Sequence, residues 1–221
     1  MTLPLAIIAG VGPGVGAAVA LRFAGQGYRV AMIARDSVRL TAIAAPMIAG
    51  GATVTTHPAD LSDHGAVRSV IATILAEHGR PSVLIWNAAL WDETAALDIK
   101  VDEFDRQLRL GLTGAVTAIQ AAAPAMAAGD GGTILLTGGG LALAPQYGAA
   151  VPVLTAVKSA LRGFVYASAP SFAARNLRLG TVTIAGQVAS GTAFDPEAIS
   201  DAYWTMHTRA DAVVEHVFDG R

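Results

Sequence analysis

The sequence predicts a doubly wound α/β fold, a parallel sheet of about seven strands with helices on both faces. Three observations predict it. Apolar strand-like runs alternate with helix-like segments along the chain, and the connections between them are short. Several of the runs are also apolar at consecutive positions, as strands covered on both faces must be. Right-handed crossovers then make the sheet doubly wound.

The elements follow in order. Leu3–Ala9 reads as a buried strand and Val15–Ala24 as a helix. Tyr28–Ala34 is the second strand, followed by a helix from about Ser37 to Ile48 that Pro46 bends. Ala52–Thr56 is the third strand. The stretch Ser62–Glu77 sets Val67, Val70, Ile71, Ile74 and Leu75 on one helical face, with Ser62 as its N-cap. Val83–Trp86 is a fourth strand with Trp86 toward the core, and Val101–Ala128 holds one or two alanine-rich helices. Thr133–Thr137, a helix over about Leu154–Arg175, Leu179–Ile184, a helix over Pro196–Met206 and a last strand Val213–Phe218 complete the pattern.

Composition sets bounds on partners. The length of 221 residues suits one α/β domain, and with no linker or repeat the whole span 1–221 is expected to fold as one. The apolar fraction of 53% against 14% charged means that much of the chain is buried or faces another subunit. A net charge of −2 with no Lys/Arg run argues against nucleic acid or an acidic membrane surface as a partner. The absence of cysteine excludes disulfides, thiolate metal ligands and thiol catalysis; no metal site is expected, and a reducing cytoplasm fits. Leu3–Leu21 carries no charge, but Pro4, Pro13 and four glycines interrupt it, which suits a strand and a glycine turn better than a membrane span.

The turn Ala9-Gly10-Val11-Gly12-Pro13-Gly14-Val15-Gly16 follows the first strand directly and opens the first helix. That context gives a glycine motif its meaning in a Rossmann-type domain: backbone can approach a pyrophosphate, and a helix N-terminus faces it. Two registers fit. Gly12, Gly14 and Ala17 match GxGxxA, whereas Gly10, Gly14 and Gly16 match GxxxGxG.

With the second register the chain resembles the short-chain dehydrogenases/reductases. The resemblance continues through Asp60-Leu61, Asn87-Ala88 and Lys158, and covers nearly the whole chain. It implies a dinucleotide held by Gly10, Gly12, Gly14, Val15 and Gly16 at the pyrophosphate, by Asp60 and Leu61 at the adenine, and by Asn87 and Ala88 beside the ribose. Helix capping is the other reading of Asp60. At the end of the second strand, Ala34 stands where an acid would take a ribose hydroxyl, and Arg35 follows it, with Arg39 one helical turn on. Arginine can donate two parallel bonds to a 2′-phosphate, so NADP(H) is favoured. Asp36 keeps NAD(H) open.

The family's reaction uses a tyrosine as proton donor or acceptor, a lysine four residues later, a serine that orients the carbonyl and a supporting asparagine. Lys158 takes the place of the lysine, but the other three places hold Leu154, Gly139 and Gly111. A positioned acid or base contributes roughly 10²–10⁴ in rate and a carbonyl-polarising donor about 10²–10³, so the usual mechanism cannot operate. Tyr147, Thr155, Tyr203 and His207 are the candidate substitutes, with packing or exposure as the preferred reading of each. The turn Gly138-Gly139-Gly140 could offer N–H groups to an oxyanion. After the sixth strand, Val188 and Ser190 match the segment that holds the nicotinamide, and the lid that follows is short.

Two functions follow from the resemblance. One is an NADP(H)-dependent oxidoreductase of a small molecule with non-standard proton transfer; the other is a non-catalytic dinucleotide-binding protein. The long helix carries a small-residue face, Ala156, Ser159, Ala160, Gly163 and Ala167, and since the family uses this helix in its interfaces the resemblance implies a homodimer or homotetramer, unless that face packs on the sheet.

Overall fold

Residues 3–211 and 213–221 are described by the structure, a computed structural model; of the expected span 1–221, Met1, Thr2 and Ala212 lie outside them. Among the described residues seven strands form one parallel sheet: β1 (Leu5–Ala9), β2 (Arg29–Ala34), β3 (Val54–Pro58), β4 (Pro81–Trp86), β5 (Gly132–Gly139), β6 (Leu177–Ile184) and β7 (Glu215–Phe218). Their spatial order is β3-β2-β1-β4-β5-β6-β7. The chain thus winds outward one way from β1 and then the other way from β4, the doubly wound arrangement that the alternation predicts.

Side chains alternate across the strands and divide the core in two. Leu5, Ile7 and Ala9 of β1 face the layer built from α3 (His64–His78), α5 (Gly114–Ala127) and α6 (Pro152–Ala173). Ala6 and Ile8 face the layer of α1 (Val15–Gly25), α2 (Ser37–Ala49) and α7 (Pro196–Thr208). In that second layer α7 lies against α1. Phe23, Tyr28, Trp204 and His207 meet edge-on or tilted, with ring centroids 5.4–5.9 Å apart. An Arg22–Asp201 ion pair closes the outside of the α1–α7 contact.

Helical chain from Val101 to Ala127 is long and apolar enough to cross a membrane by composition. Here it is a core element: Ala115, Ala118, Ile119, Ala122 and Met126 are buried against the sheet and α3. It divides into α4 (Val101–Leu108), a π-helical turn at Arg109–Thr113, and α5. Trp86 fills the space beneath, fully buried, its Nε1–H donating to Leu110 O at 3.2 Å.

Several boundaries differ from the sequence reading for local reasons. Asp63, not Ser62, caps α3, accepting from the N–H groups of Gly65 and Ala66. The long helix starts at Pro152, whose missing N–H costs nothing in a first turn, rather than at Leu154. Gly138 and Gly139 extend β5 and pair with Thr183 and Ile184, so the triple glycine is mostly strand and not a turn. Ala156, Ala160, Gly163 and Ala167 are exposed and Ser159 half-buried, so that stripe does not pack on the sheet.

Candidate functional site

The glycine turn sits where the winding reverses, between the C-terminal ends of β1 and β4. Gly10 has φ +85°, and its N–H and that of Val11 both reach Ile33 O. A Cβ at Gly10 would overlap the backbone of Ala88, and one at Gly16 would lie 2.8 Å from Gly10 O and Val11 Cα. A Cβ on Gly12 or Gly14 meets nothing within 4 Å. Packing therefore requires glycine at 10 and 16, as the GxxxGxG register has it, while positions 12 and 14 leave open space for a ligand. Helix α1 begins with no side-chain cap and no acid in its first turn, whereas Asp36, Asp63 and Asp195 cap α2, α3 and α7. Its free N–H groups and positive dipole end suit an anion.

A cleft of about 600 Å³ opens over this turn. It is lined by Gly10, Gly12, Gly14, Val15, Gly16, Arg35, Asp60, Leu61, Asn87 and Ala88, which are residues the sequence singles out. Arg39 and Asp36 join Arg35 at the end of β2. Asp36 is engaged as the α2 cap, accepting from Arg39 N at 3.0 Å. Asp60 Oδ1 accepts from Ser62 N and Oγ at 2.9 and 2.7 Å, so it holds the β3–α3 turn while it lines the cleft. Those two bonds, followed by the nearby Arg35 and Arg106 guanidinium groups, keep its carboxyl below the usual range despite partial burial. Leu90, Arg106 and Leu110 also line it; the sequence marks none of them as a site residue, because the β4–α4 loop, α4 and the π-helical turn carry them to the cleft only through tertiary packing.

Lys158, Val188 and Ser190 do not line the cleft. Val188 and Ser190 lie in the exposed loop after β6, which closes on itself through Ala189 N to Phe194 O and Asp195 N to Thr192 O. Lys158 is buried beneath β5, and its Nζ donates to Thr137 O at 2.6 Å. Burial without an acidic partner lowers its pKa to about 8. Thr137 is the hub of a buried network. Its hydroxyl donates to Asn87 Oδ1 at 2.9 Å and therefore accepts from Tyr203 Oη at 2.6 Å, while Asn87 Nδ2 donates to Gly10 O at 2.9 Å. The network ties α7 and β5 to the glycine turn. Burial pushes the Tyr203 hydroxyl pKa up.

The positions that the resemblance assigns to the serine, asparagine and tyrosine carry no ionisable or hydroxyl group. A Cβ at Gly139 would make ordinary contact with Lys158 Cγ at 3.4 Å, but one at Gly111 would overlap Val157 Cγ1. Leu154 is half-buried. Among the candidate substitutes, Tyr147 is 79% exposed, and Thr155 bonds back to Val151 O at 3.0 Å. His207 bridges Tyr28 Oη and Thr133 Oγ1 at 2.6 and 3.0 Å; burial, then the Arg178 charge, lowers its pKa to about 4. Tyr203 and His207 are thus packing residues of α7.

Away from the cleft, His57, Glu77 and His78 bring nitrogen and oxygen atoms within 4.8 Å of one another. Arg29 can only donate, so its 3.3 Å contact puts the His78 proton on Nε2. That proton reaches Thr55 Oγ1 at 3.3 Å, and the threonine in turn donates to His57 Nε2 at 2.9 Å. This corner is a hydrogen-bond chain, and the adjacent guanidinium opposes a cation.

The fold and this glycine turn define a Rossmann-type α/β protein. The chain belongs to the short-chain dehydrogenase family, whose model matches residues 4–195. Among curated proteins, the probable oxidoreductase EphD of Mycobacterium tuberculosis is 32% identical over 117 residues, covering 53% of this chain and 20% of that protein. The first curated relatives are thus much longer, and the chain spans about a fifth of their length. A metagenomic short-chain oxidoreductase solved in complex with NADP superposes with a TM-score of 0.87 at 27% identity, covering 98% of this chain and 97% of that one. A short-chain type dehydrogenase/reductase from Mycobacterium marinum gives 0.89 at 26%, covering 99% and 94%.

Proposed function

We propose that the chain, as a single domain over 1–221, is an NADP(H)-dependent oxidoreductase of a small-molecule substrate. The observation that carries this reading is the cleft: an uncapped helix start beside open glycines, with Arg35 and Arg39 following Ala34, the position where an acid would select NAD(H). Its volume suits a nucleotide. The metagenomic relative in complex with NADP supports the choice of cofactor. NAD(H) is the lesser alternative, because Asp36 is already engaged at the α2 N-terminus.

In this reading Gly10, Gly12, Gly14, Val15 and Gly16 shape the pyrophosphate site, and Arg35 takes the 2′-phosphate. Asp60 and Leu61 face the adenine, Asn87 and Ala88 the ribose, and Lys158, Val188 and Ser190 the nicotinamide end. The dinucleotide supplies or accepts the hydride. With Leu154, Gly139 and Gly111 at the other positions, the proton comes from the substrate, water or a non-standard group, and Lys158 is the catalytic candidate of this chain.

A second reading is a non-catalytic dinucleotide-binding protein acting as a redox sensor or partner subunit. The Lys158 ammonium bound to Thr137 O, turned to the strand and away from the cleft, favours it. In either reading the protein is cytoplasmic and associates as a homodimer or homotetramer through the exposed small-residue face of α6.

Fluorescence titration with NADPH and NADH tests the cofactor. Wild type is expected to prefer NADPH, and Arg35→Ala to weaken NADPH about tenfold with little change for NADH, as loss of a charge-assisted pair implies. Binding of neither nucleotide overturns the reading. Single-turnover hydride transfer over a carbonyl panel then separates enzyme from sensor.

A further inference from the structure

We propose that Arg106 is a second recognition arginine, reading the adenine base while Arg35 reads the phosphate; this rests on the dinucleotide reading above. Arg106 lies on α4 and lines the same cleft, beside Leu90, Leu110, Leu61 and Asp60. Its Nε and Nη2 donate to the two Glu103 carboxylate oxygens at 2.8 and 2.7 Å. That pair occupies one edge of the guanidinium, and among the described residues Nη1 donates to none.

The side chain is also unusually well held for a surface arginine, at 39% exposure. Glu103 Oε1 accepts in addition from Gln107 Nε2 at 3.0 Å, and Gln107, only 3% exposed, donates to Asp92 Oδ2 at 2.6 Å. Asp92 is fixed in turn by Thr94 N and Oγ1. The buckle runs from the β4–α4 loop to the cleft and limits the rotamers of a guanidinium that would otherwise lose much freedom on binding.

The neighbours say what it would hold. Arg35 and Arg39 stand with Asp36 at the end of β2, a polar setting suited to phosphate. Arg106 shares the cleft lining with Leu61, Leu90 and Leu110, and its charge reaches the Asp60 carboxylate, which can accept from an exocyclic amine. A planar cation, leucine side chains and a carboxylate acceptor lining one cleft match an amino-substituted purine.

Isothermal or fluorescence titration of Arg106→Ala and Arg106→Lys with NADPH and NADH tests this, with thermal melts to check folding. Arg106→Ala is expected to weaken both nucleotides about fivefold and leave their ratio unchanged. Arg106→Lys, which keeps charge but not the plane, is expected to recover less than half of the loss. Glu103→Gln, a positioning change, is expected to give the same equal loss at about twofold, and stands as the second variant should Arg106→Ala fold poorly. Unchanged affinities make Arg106 a surface ion pair and overturn the inference alone. Selective loss of NADPH assigns Arg106 to the phosphate and overturns it too. Wild type that binds neither nucleotide overturns the dinucleotide reading and this inference with it.

Discussion

The two halves of the sheet's C-terminal edge treat their polar groups in opposite ways. Around β1, β2 and α1, the turn glycines and the Arg35 and Arg39 side chains open onto the cleft, and the α1 N-terminus is left uncapped. Around β5, β6 and α7 the polar groups bond to one another. Lys158 holds Thr137 O, Tyr203 holds the Thr137 hydroxyl, and Glu215 accepts from Arg162, Thr183 and Tyr166. A group that a site presents to a ligand leaves some bonding capacity unsatisfied until the ligand arrives. A group that only packs is satisfied within the chain. By that criterion the first half is open to a ligand and the second, apart from the Lys158 ammonium with its one acceptor, is largely core.

The sharpest way to break the contrast is at the turn itself. Gly10→Val places a β-branched residue at φ +85° and drives its Cβ into the Ala88 backbone. Strain and overpacking together are expected to cost about 3 kcal/mol and to abolish nucleotide binding. Gly12→Ala has no neighbour within 4 Å and is expected to leave the denaturation midpoint almost unchanged while weakening nucleotide binding. Equal thermal stability for the two variants would show that the glycines at 10 and 12 do not divide into packing and ligand-facing roles.

In the other half the informative change is Lys158→Met. Its ammonium is buried with one backbone acceptor, and its pKa is lowered to about 8. Unfolded lysine titrates near 10.4. Between those values the unfolded chain binds more protons, so this group makes stability rise with pH from about 8 to 10 and contributes a constant penalty below 8. Lys158→Met is expected to stabilise the protein by about 2 kcal/mol at pH 7, once the lost carbonyl bond is set against the removed burial cost. The gain should shrink toward pH 10, read by urea midpoints across the range. Destabilisation at pH 7 would mean that the Thr137 bond outweighs desolvation and that the lysine is a structural tether.

What the sequence made legible follows the same division. The strands and the glycine turn were readable because each is specified by contiguous residues: apolar runs, and four glycines within seven positions after β1. Arg106 and Leu110 were not, since they reach the cleft only once the helical stretch from Val101 to Ala127 has packed into the fold. Their signal was the mix of charge and leucine over Arg106–Leu110. Nor could spacing show that Lys158 Nζ turns back to Thr137 O, or that Gly138 and Gly139 join the β6 ladder. Both depend on which strand lies alongside.

The smallest expected effect concerns a boundary where neighbouring residues competed for one role. Ser62 and Asp63 both have side chains that can cap α3, and a serine before an apolar helical face is a reasonable cap. The structure gives Ser62 to Asp60, whose Oδ1 takes both its N–H and its hydroxyl, and that geometry moves the helix start to His64. Asp63→Ala therefore leaves the Gly65 and Ala66 N–H groups without their acceptor and is expected to cost about 1 kcal/mol. Ser62→Ala removes only an exposed hydroxyl bond, for about 0.5 kcal/mol or less. Thermal melts of the pair decide it. A larger loss for Ser62→Ala would mean that the Asp60 turn, and not the Asp63 cap, anchors this end of the cleft.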